Sequence, residues 1–369
     1  MTVSQTASDP PSAERLMSLD ALRGFDMFWI VGGDFLIRSL PGIHDSAFTR
    51  GLAAQMEHCE WAGFHFYDLI FPLFVFIVGV AIPFSVPRMI ERAGKSSAIK
   101  RIVIRSLVLF LLGVFYMGGL ANGFQNIYFA GVLHRIAVAY FFAALIFCFL
   151  QPRNMAALCV GLLVGYWALM TFVPVPGIGA PDLSVPGKNL AHYIDALYLP
   201  GRKFEGTLLS TMAAVANCLL GVFAGLLLKS KTLNHGQKFV LLLTGGVSGL
   251  SAGLASAQFF PVIKLLWTSS YVLVSCGCSA MLLAAAYYLI EMRGFQRWAQ
   301  PFVWLGMNAI TIYLVANLVN FRALAGRFVG GDVKRWLGNY SELVLAVVSL
   351  GLVFWLVYVL HRRKIFLRL

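Results

Sequence analysis

Residues Phe66 to Val86 read FYDLIFPLFVFIVGVAIPFSV, a run of 21 whose one charged residue, Asp68, lies near its start. A bilayer core takes about 20 apolar residues of helix, so this run is long enough to cross. It is also too uniformly apolar to be the half-buried helix of a soluble domain. Nine further stretches read the same way: Leu16 to Ile37, Ile102 to Leu120, Tyr128 to Leu150, Met155 to Val173, Leu208 to Leu228, Phe239 to Phe259, Ser269 to Ile290, Phe302 to Phe321 and Leu343 to Leu360. Across 369 residues, 59% are hydrophobic and 12% charged, with a mean hydropathy of +0.78, which leaves too little polar surface for water. The predicted fold is all-α: a polytopic integral membrane protein of about ten transmembrane helices. Residues 1–14, polar and without the pattern of a secretory signal, are expected to be a disordered cytoplasmic tail. Residues 15–369 are expected to form one transmembrane domain.

The net charge of +13 comes from Lys and Arg in short clusters between apolar runs, where they set orientation, and not from a basic face for nucleic acid. With the N-terminus inside, the even-numbered connections and the tails collect 17 of the 29 basic residues, including the patch Arg88, Arg92, Lys95, Lys100 and Arg101. Both termini are therefore predicted to be cytoplasmic. Two connections on the other side, 38–65 and 174–207, are long enough to roof a site. Five of the six cysteines lie inside apolar runs without zinc-ligand spacing, so neither disulfides nor a metal is expected. Glycines at four-residue spacing, Gly221 with Gly225 and Gly245 with Gly249 and Gly253, predict close helix packing.

Ionisable groups inside a span are costly and face a partner or a cavity. The first span holds Asp20, Arg23, Asp26 and Asp34. Asp20, Arg23 and Asp26 are successive i, i+3 neighbours, so Arg23 can pair with either carboxylate. On one continuous helix Asp34 lies almost in phase with Arg23 and about 16 Å further along the axis, with no local partner. His58 to Asp68, HCEWAGFHFYD, concentrates two imidazoles, two carboxylates and a tryptophan at the predicted outer surface. An imidazole there suits general-base work on an amine or hydroxyl. His134-Arg135 is a second buried polar pair, for which packing against the first-span carboxylates and a pocket role are both open.

The order Ser18-Leu19-Asp20, Arg23-Gly24, then His58-x-x-Trp61-x-Gly63-x4-Asp68-Leu69-x-Phe71-Pro72-x-Phe74-x-Phe76-x-x-Gly79, resembles the heparan-α-glucosaminide N-acetyltransferase family. Gly131-Val132-Leu133-x-Arg135-Ile136, Glu205-Gly206-x-Leu208-x-Ser210-Thr211, Leu266-Trp267-x-x-Ser270-Tyr271-Val272 and Gly306-Met307-Asn308 extend the likeness over nearly the whole chain from Arg15. The resemblance implies transfer of an acetyl group from cytosolic acetyl-CoA to a glucosamine-type amino group across the membrane, with no metal. It implies His58 and Asp34 as catalytic residues, and Trp61, Asp68, Glu205 and Asn308 as substrate-binding. It implies Arg23, Asp20, Arg135 and His134 as binding the acetyl-CoA donor. Direct transfer and an acetyl-histidine intermediate are both open.

The sequence departs from the family pattern at three places. Asp34 stands where asparagine is usual, His134 where glutamine is, and Lys203-Phe204 precede Glu205 in place of Asp-Pro. The large extracytoplasmic domain and additional span of animal members are not seen, so a bacterial inner-membrane member is expected, with heparan sulfate not its natural acceptor. The partners implied are an amino sugar and the bilayer, with a homodimer left open. The alternatives are an O-acetyltransferase of envelope glycans and a sugar carrier without catalysis.

Overall fold

The computed structural model describes residues 16–199 and 206–365; the predicted tail and Glu205 lie outside them. Helix α1 (Met17–Phe28) runs through a π-helical turn, Trp29–Gly33, into α2 (Asp34–Arg38), followed by the short α3 (Leu40–Ile43) and α4 (Ala47–Gln55). A 3₁₀ turn, Phe66–Leu69, opens α5 (Ile70–Tyr116). Then come α6 (Val132–Phe149), α7 (Pro152–Phe172), α8 (Leu190–Tyr198), α9 (Thr207–Lys229), α10 (His235–Ser256) and α11 (Ser269–Tyr287). The chain closes with α12 (Gln300–Met307), α13 (Ala309–Leu318), α14 (Phe321–Gly326), α15 (Gly331–Leu337) and α16 (Ser341–Arg362). Among the described residues there is no strand, only the isolated bridges Ala62–Ile263 and Val175–Gly179.

The polytopic helical fold is as predicted, but the count of ten spans is not reached. Seven helical segments are long and apolar enough to cross a membrane, or eight if α12 and α13, bent by 77°, form one broken span. Glycine backbones explain much of the difference. Gly32 (φ 125) interrupts the first predicted span, and Gly94 (φ 78) turns the chain within α5, between the second and third predicted runs. A straight helix of α5's 47 residues would be about 70 Å long, more than twice the hydrocarbon thickness, so the turn at Gly94 divides it into two legs.

The core is built where small residues let backbones meet. A Cβ on Gly221 or Gly225 of α9 would overlap the carbonyl oxygen of Phe76 or Val80 on α5. The other glycine ladder packs differently from its prediction: Gly246, Gly249 and Gly253 of α10 face α11, while Gly245 has open space at its Cβ position. Leu107, Leu111, Val160, Val164 and Phe172 lie exposed on the outside, as side chains that meet hydrocarbon do.

Candidate active site

Two loops far apart in sequence are docked to each other at one end of the bundle. Gly63 N–H donates to the Val262 carbonyl at 2.9 Å, beside the Ala62–Ile263 bridge. The first loop can turn there because Gly63 takes φ 135, a conformation side chains resist, and because a Cβ would stand 3.0 Å from the Cys59 sulfur. In the second loop Thr268 Oγ1 donates to the Pro261 carbonyl (2.8 Å) and accepts from Ile263 N–H (3.1 Å). Trp267, held at φ 51, donates its N–H to the Lys264 carbonyl at 3.0 Å. Positive φ in a non-glycine residue stores strain, and such strain collects at functional sites.

This docking brings Lys264 to His58 across 206 residues of sequence. Asp68 lies between them, with its side chain fully buried. Its Oδ1 is 2.9 Å from His58 Nδ1 and 3.3 Å from Lys264 Nζ. Its Oδ2 accepts from the backbone N–H groups of Cys59 (3.2 Å) and His65 (3.0 Å). An ionised carboxylate can only accept, so the His58 tautomer that serves Asp68 is the one with its proton on Nδ1, which leaves Nε2 as the nitrogen with a lone pair. Lys264 Nζ stands 2.7 Å from Nδ1 and 3.1 Å from Nε2. Burial pushes the Lys264 ammonium below the usual lysine range, and Asp68 pulls it back up. Burial, then the nearby Asp68 charge, pushes the Cys59 thiol up. Cys59, His65 and Asp68 also bring three ligand-type atoms within 4.8 Å of one another, a grouping the spacing did not suggest.

Two cavities of about 520 Å³ each lie stacked along the bundle. One is lined by Asp20, Arg23, Arg88, Arg105 and Tyr140, the other by His58, Tyr67, Arg135, Lys264 and Trp267. Phe74, Leu133, Ile136 and Ile310 line both, so the two chambers share walls. From Tyr67 to Arg88 is 21 residues, about 30 Å of helix, close to the thickness of a bilayer core. The two chambers thus adjoin, with the guanidinium groups of Arg23, Arg88 and Arg105 in one and the His58 cluster in the other.

The predicted site residues divide over these chambers. Arg23 Nη1 pairs with Asp20 Oδ1 at 3.1 Å, and both line the first chamber. Asp26 is fully buried with neither carboxylate oxygen hydrogen-bonded. Asp34, predicted to be catalytic with His58, pairs with Arg38 at 3.6 Å. The π-helical turn and the positive φ of Gly32 take Asp34 off the face that a continuous helix would share with Arg23. The carboxylate on His58 is Asp68, predicted to bind substrate; its buried oxygens are all engaged within the protein.

Trp61 Nε1–H donates to the Leu183 carbonyl at 2.7 Å, joining the two long connections predicted to form a roof. Asn308 is buried at the bend between α12 and α13. His134 and Arg135 make no ion pair with the first-span carboxylates: Arg135 lines the second chamber, and both line a third cavity. Sequence reasoning missed Lys264 and Tyr67, whose ring lies 4.9 Å from that of His58. For Lys264 the signal was a lone lysine in an otherwise apolar stretch, three residues before Trp267.

Fold and site define an integral membrane protein with a histidine–carboxylate–lysine cluster in one of two adjoining internal chambers. The family model described as heparan-alpha-glucosaminide N-acetyltransferase, catalytic, matches residues 15–188. The chain is 26% identical over 420 residues to heparan-alpha-glucosaminide N-acetyltransferase of Mus musculus, covering 96% of this chain and 60% of that one. The Homo sapiens protein of the same name is 26% identical over 417 residues, covering 95% and 59%. The chain spans about 60% of the length of these curated relatives. In both comparisons the chain is similar to the heparan-alpha-glucosaminide N-acetyltransferases.

Proposed function

We propose that this chain passes an acetyl group from acetyl-CoA, bound at the cytoplasmic end of the paired chambers, to the amino group of a glucosamine-type sugar at the extracytoplasmic end. The observation that carries this reading is the pair of chambers with shared walls, Arg23, Arg88 and Arg105 at one end and His58, Asp68 and Lys264 at the other. Guanidinium groups suit the CoA phosphates, which stay near water, while the thin pantetheine arm carries the thioester inward through the apolar neck. The names of the relatives and the count of basic residues support the chemistry and the direction.

The amine arrives as an ammonium. His58 Nε2 takes one proton, the free amine attacks the thioester carbonyl, and Lys264 faces the negative charge that develops on oxygen. The C–N bond forms and the C–S bond breaks. The thiolate leaves as thiol with a proton returned from His58, and one further proton goes to solvent. Asp68 holds the ring so that Nε2 is the basic nitrogen.

Purified protein incubated with radiolabelled acetyl-CoA and a panel of amino sugars and hydroxyl acceptors is expected to label the amines. Label on hydroxyl acceptors alone makes the chain an O-acetyltransferase. Binding of amino sugars without transfer to any acceptor leaves a carrier and overturns the reading. Protein quenched after exposure to the donor alone is expected to carry no label; His58-dependent label there replaces direct transfer by an acetyl-imidazole.

A further inference from the structure

We infer that the acceptor is a lipid-anchored amino sugar with an anionic, phosphate-type linkage, which enters sideways from the bilayer past His134 and Arg135. The inference rests on the acetyltransferase reading and names its substrate class. A third cavity, of about 480 Å³, lies between α5, α6 and α9, with Phe110, Phe129, Phe142 and Leu208 in its walls. Phe142 is 44% exposed and Leu208 39%, and Leu107 and Leu111, which flank Phe110 on α5, are more exposed still. The mouth of this cavity therefore opens on the flank of the bundle, where the solvent is hydrocarbon. Ala130 and Arg135 line both this cavity and the chamber of His58.

The neck between them is polar and incompletely satisfied. Arg135 is buried, donates to Ser210 Oγ at 2.9 Å and lies 4.6 Å above the Trp267 ring. Among the described residues no carboxylate touches it: Asp195, the buried carboxylate that acts on it, does so at longer range, because its oxygens accept from the N–H groups of Thr207 and Leu208, so an anion that meets the guanidinium directly is still favoured. His134 Nδ1 accepts from Gly131 N–H at 3.2 Å, which puts the ring proton on Nε2, where it meets no acceptor. The ring cannot shift towards α5, because it already packs on Gly113, where a Cβ would stand about 2.9 Å from it.

An apolar chamber, a neck with a cation that no carboxylate touches and an unpaired donor, and a chamber with a base match a molecule of three parts in that order. Those parts are an apolar chain, a phosphate-type oxyanion and an amino sugar. A water-soluble sugar leaves the flank cavity unused, and a common phospholipid brings no sugar amine to His58.

The test uses the full-length protein in nanodiscs with labelled acetyl-CoA and three acceptors. These are glucosamine 1-phosphate bearing a polyisoprenyl chain, the same sugar phosphate without a chain, and a neutral glucosaminyl glycolipid. The chain-bearing phosphate is expected to exceed each of the others at least about tenfold in kcat/KM, the scale of one charge-assisted hydrogen bond. Arg135→Gln is expected to erase the preference over the neutral glycolipid. Leu208→Trp and Phe142→Trp, which fill the flank cavity, are expected to erase the preference over the chainless phosphate. A CoA-induced thermal shift checks that each variant is folded. Equal use of the three acceptors by the wild type, or preferences unchanged in all folded variants, overturns the inference while leaving acetyl transfer standing; no transfer to any amine overturns both.

Discussion

At the scale of single residues, the assignment turns on which carboxylate holds His58. His58→Ala is expected to lower kcat by about 10²–10⁴-fold, the range of general acid–base catalysis, with the CoA-induced thermal shift retained. A turnover near wild type in that variant ends the catalytic assignment. Asp68→Asn is expected to lose most of the rate as well, because an amide offers Nδ1–H a weaker acceptor and leaves Lys264 without its counter-ion. Asp34→Asn is expected to keep it, since Asp34 is paired with Arg38; the opposite ranking of the two variants restores Asp34 to the mechanism. Lys264 gives a pH test. Its cation is useful only while protonated, so activity is present below its depressed pKa and lost as pH rises through it. The alkaline limb is therefore expected below the ~10.4 of free lysine. Lys264→Arg should carry that limb out of the measurable range; a limb that stays in place in the arginine variant belongs to another group.

The helices show where runs of apolar residues inform and where they mislead. Each run correctly marked a helix, because composition alone decides that a segment of this apolarity must satisfy its backbone internally. The break at Gly32 was not legible: glycine is common in apolar helices, and only packing determines which one takes a positive φ. The same holds for the glycine ladders. Gly221→Val is expected to destabilise the protein by about 1–3 kcal/mol, the cost of overpacking, because its side chain would overlap the Phe76 carbonyl. Gly245→Val, with open space around it, is expected to leave Tm unchanged. Thermal unfolding in detergent separates the two, and equal Tm values for both variants would contradict the α5–α9 contact as the tighter one.

For the molecule as a whole, transfer through the paired chambers demands a sidedness that labelling can read. In intact cells Cys59 is expected to react with a membrane-impermeant maleimide from outside, slowly near neutral pH and faster as pH rises, because its raised pKa keeps the thiolate scarce. Labelling only after lysis, in a control protein whose Cys59 is shown to be accessible, reverses the orientation. In sealed vesicles, acetyl-CoA supplied at one face should label an amine confined to the other.

What the sequence by itself determined is the class of solvent, the helical segments and which polar residues had to be buried among them. Apolar length and the cost of buried charge are local properties, readable one segment at a time. The tertiary structure decided the partners. His58 meets Asp68 only because a 3₁₀ turn folds the chain back over ten residues, and Lys264 only because a bridge joins loops about 200 residues apart. Neither contact leaves a period or a spacing in the sequence. Asp34 follows the break at Gly32 and pairs with Arg38. Sequence patterns record which groups must be buried, and the choice among buried partners is made by the packing of elements that the sequence places far apart.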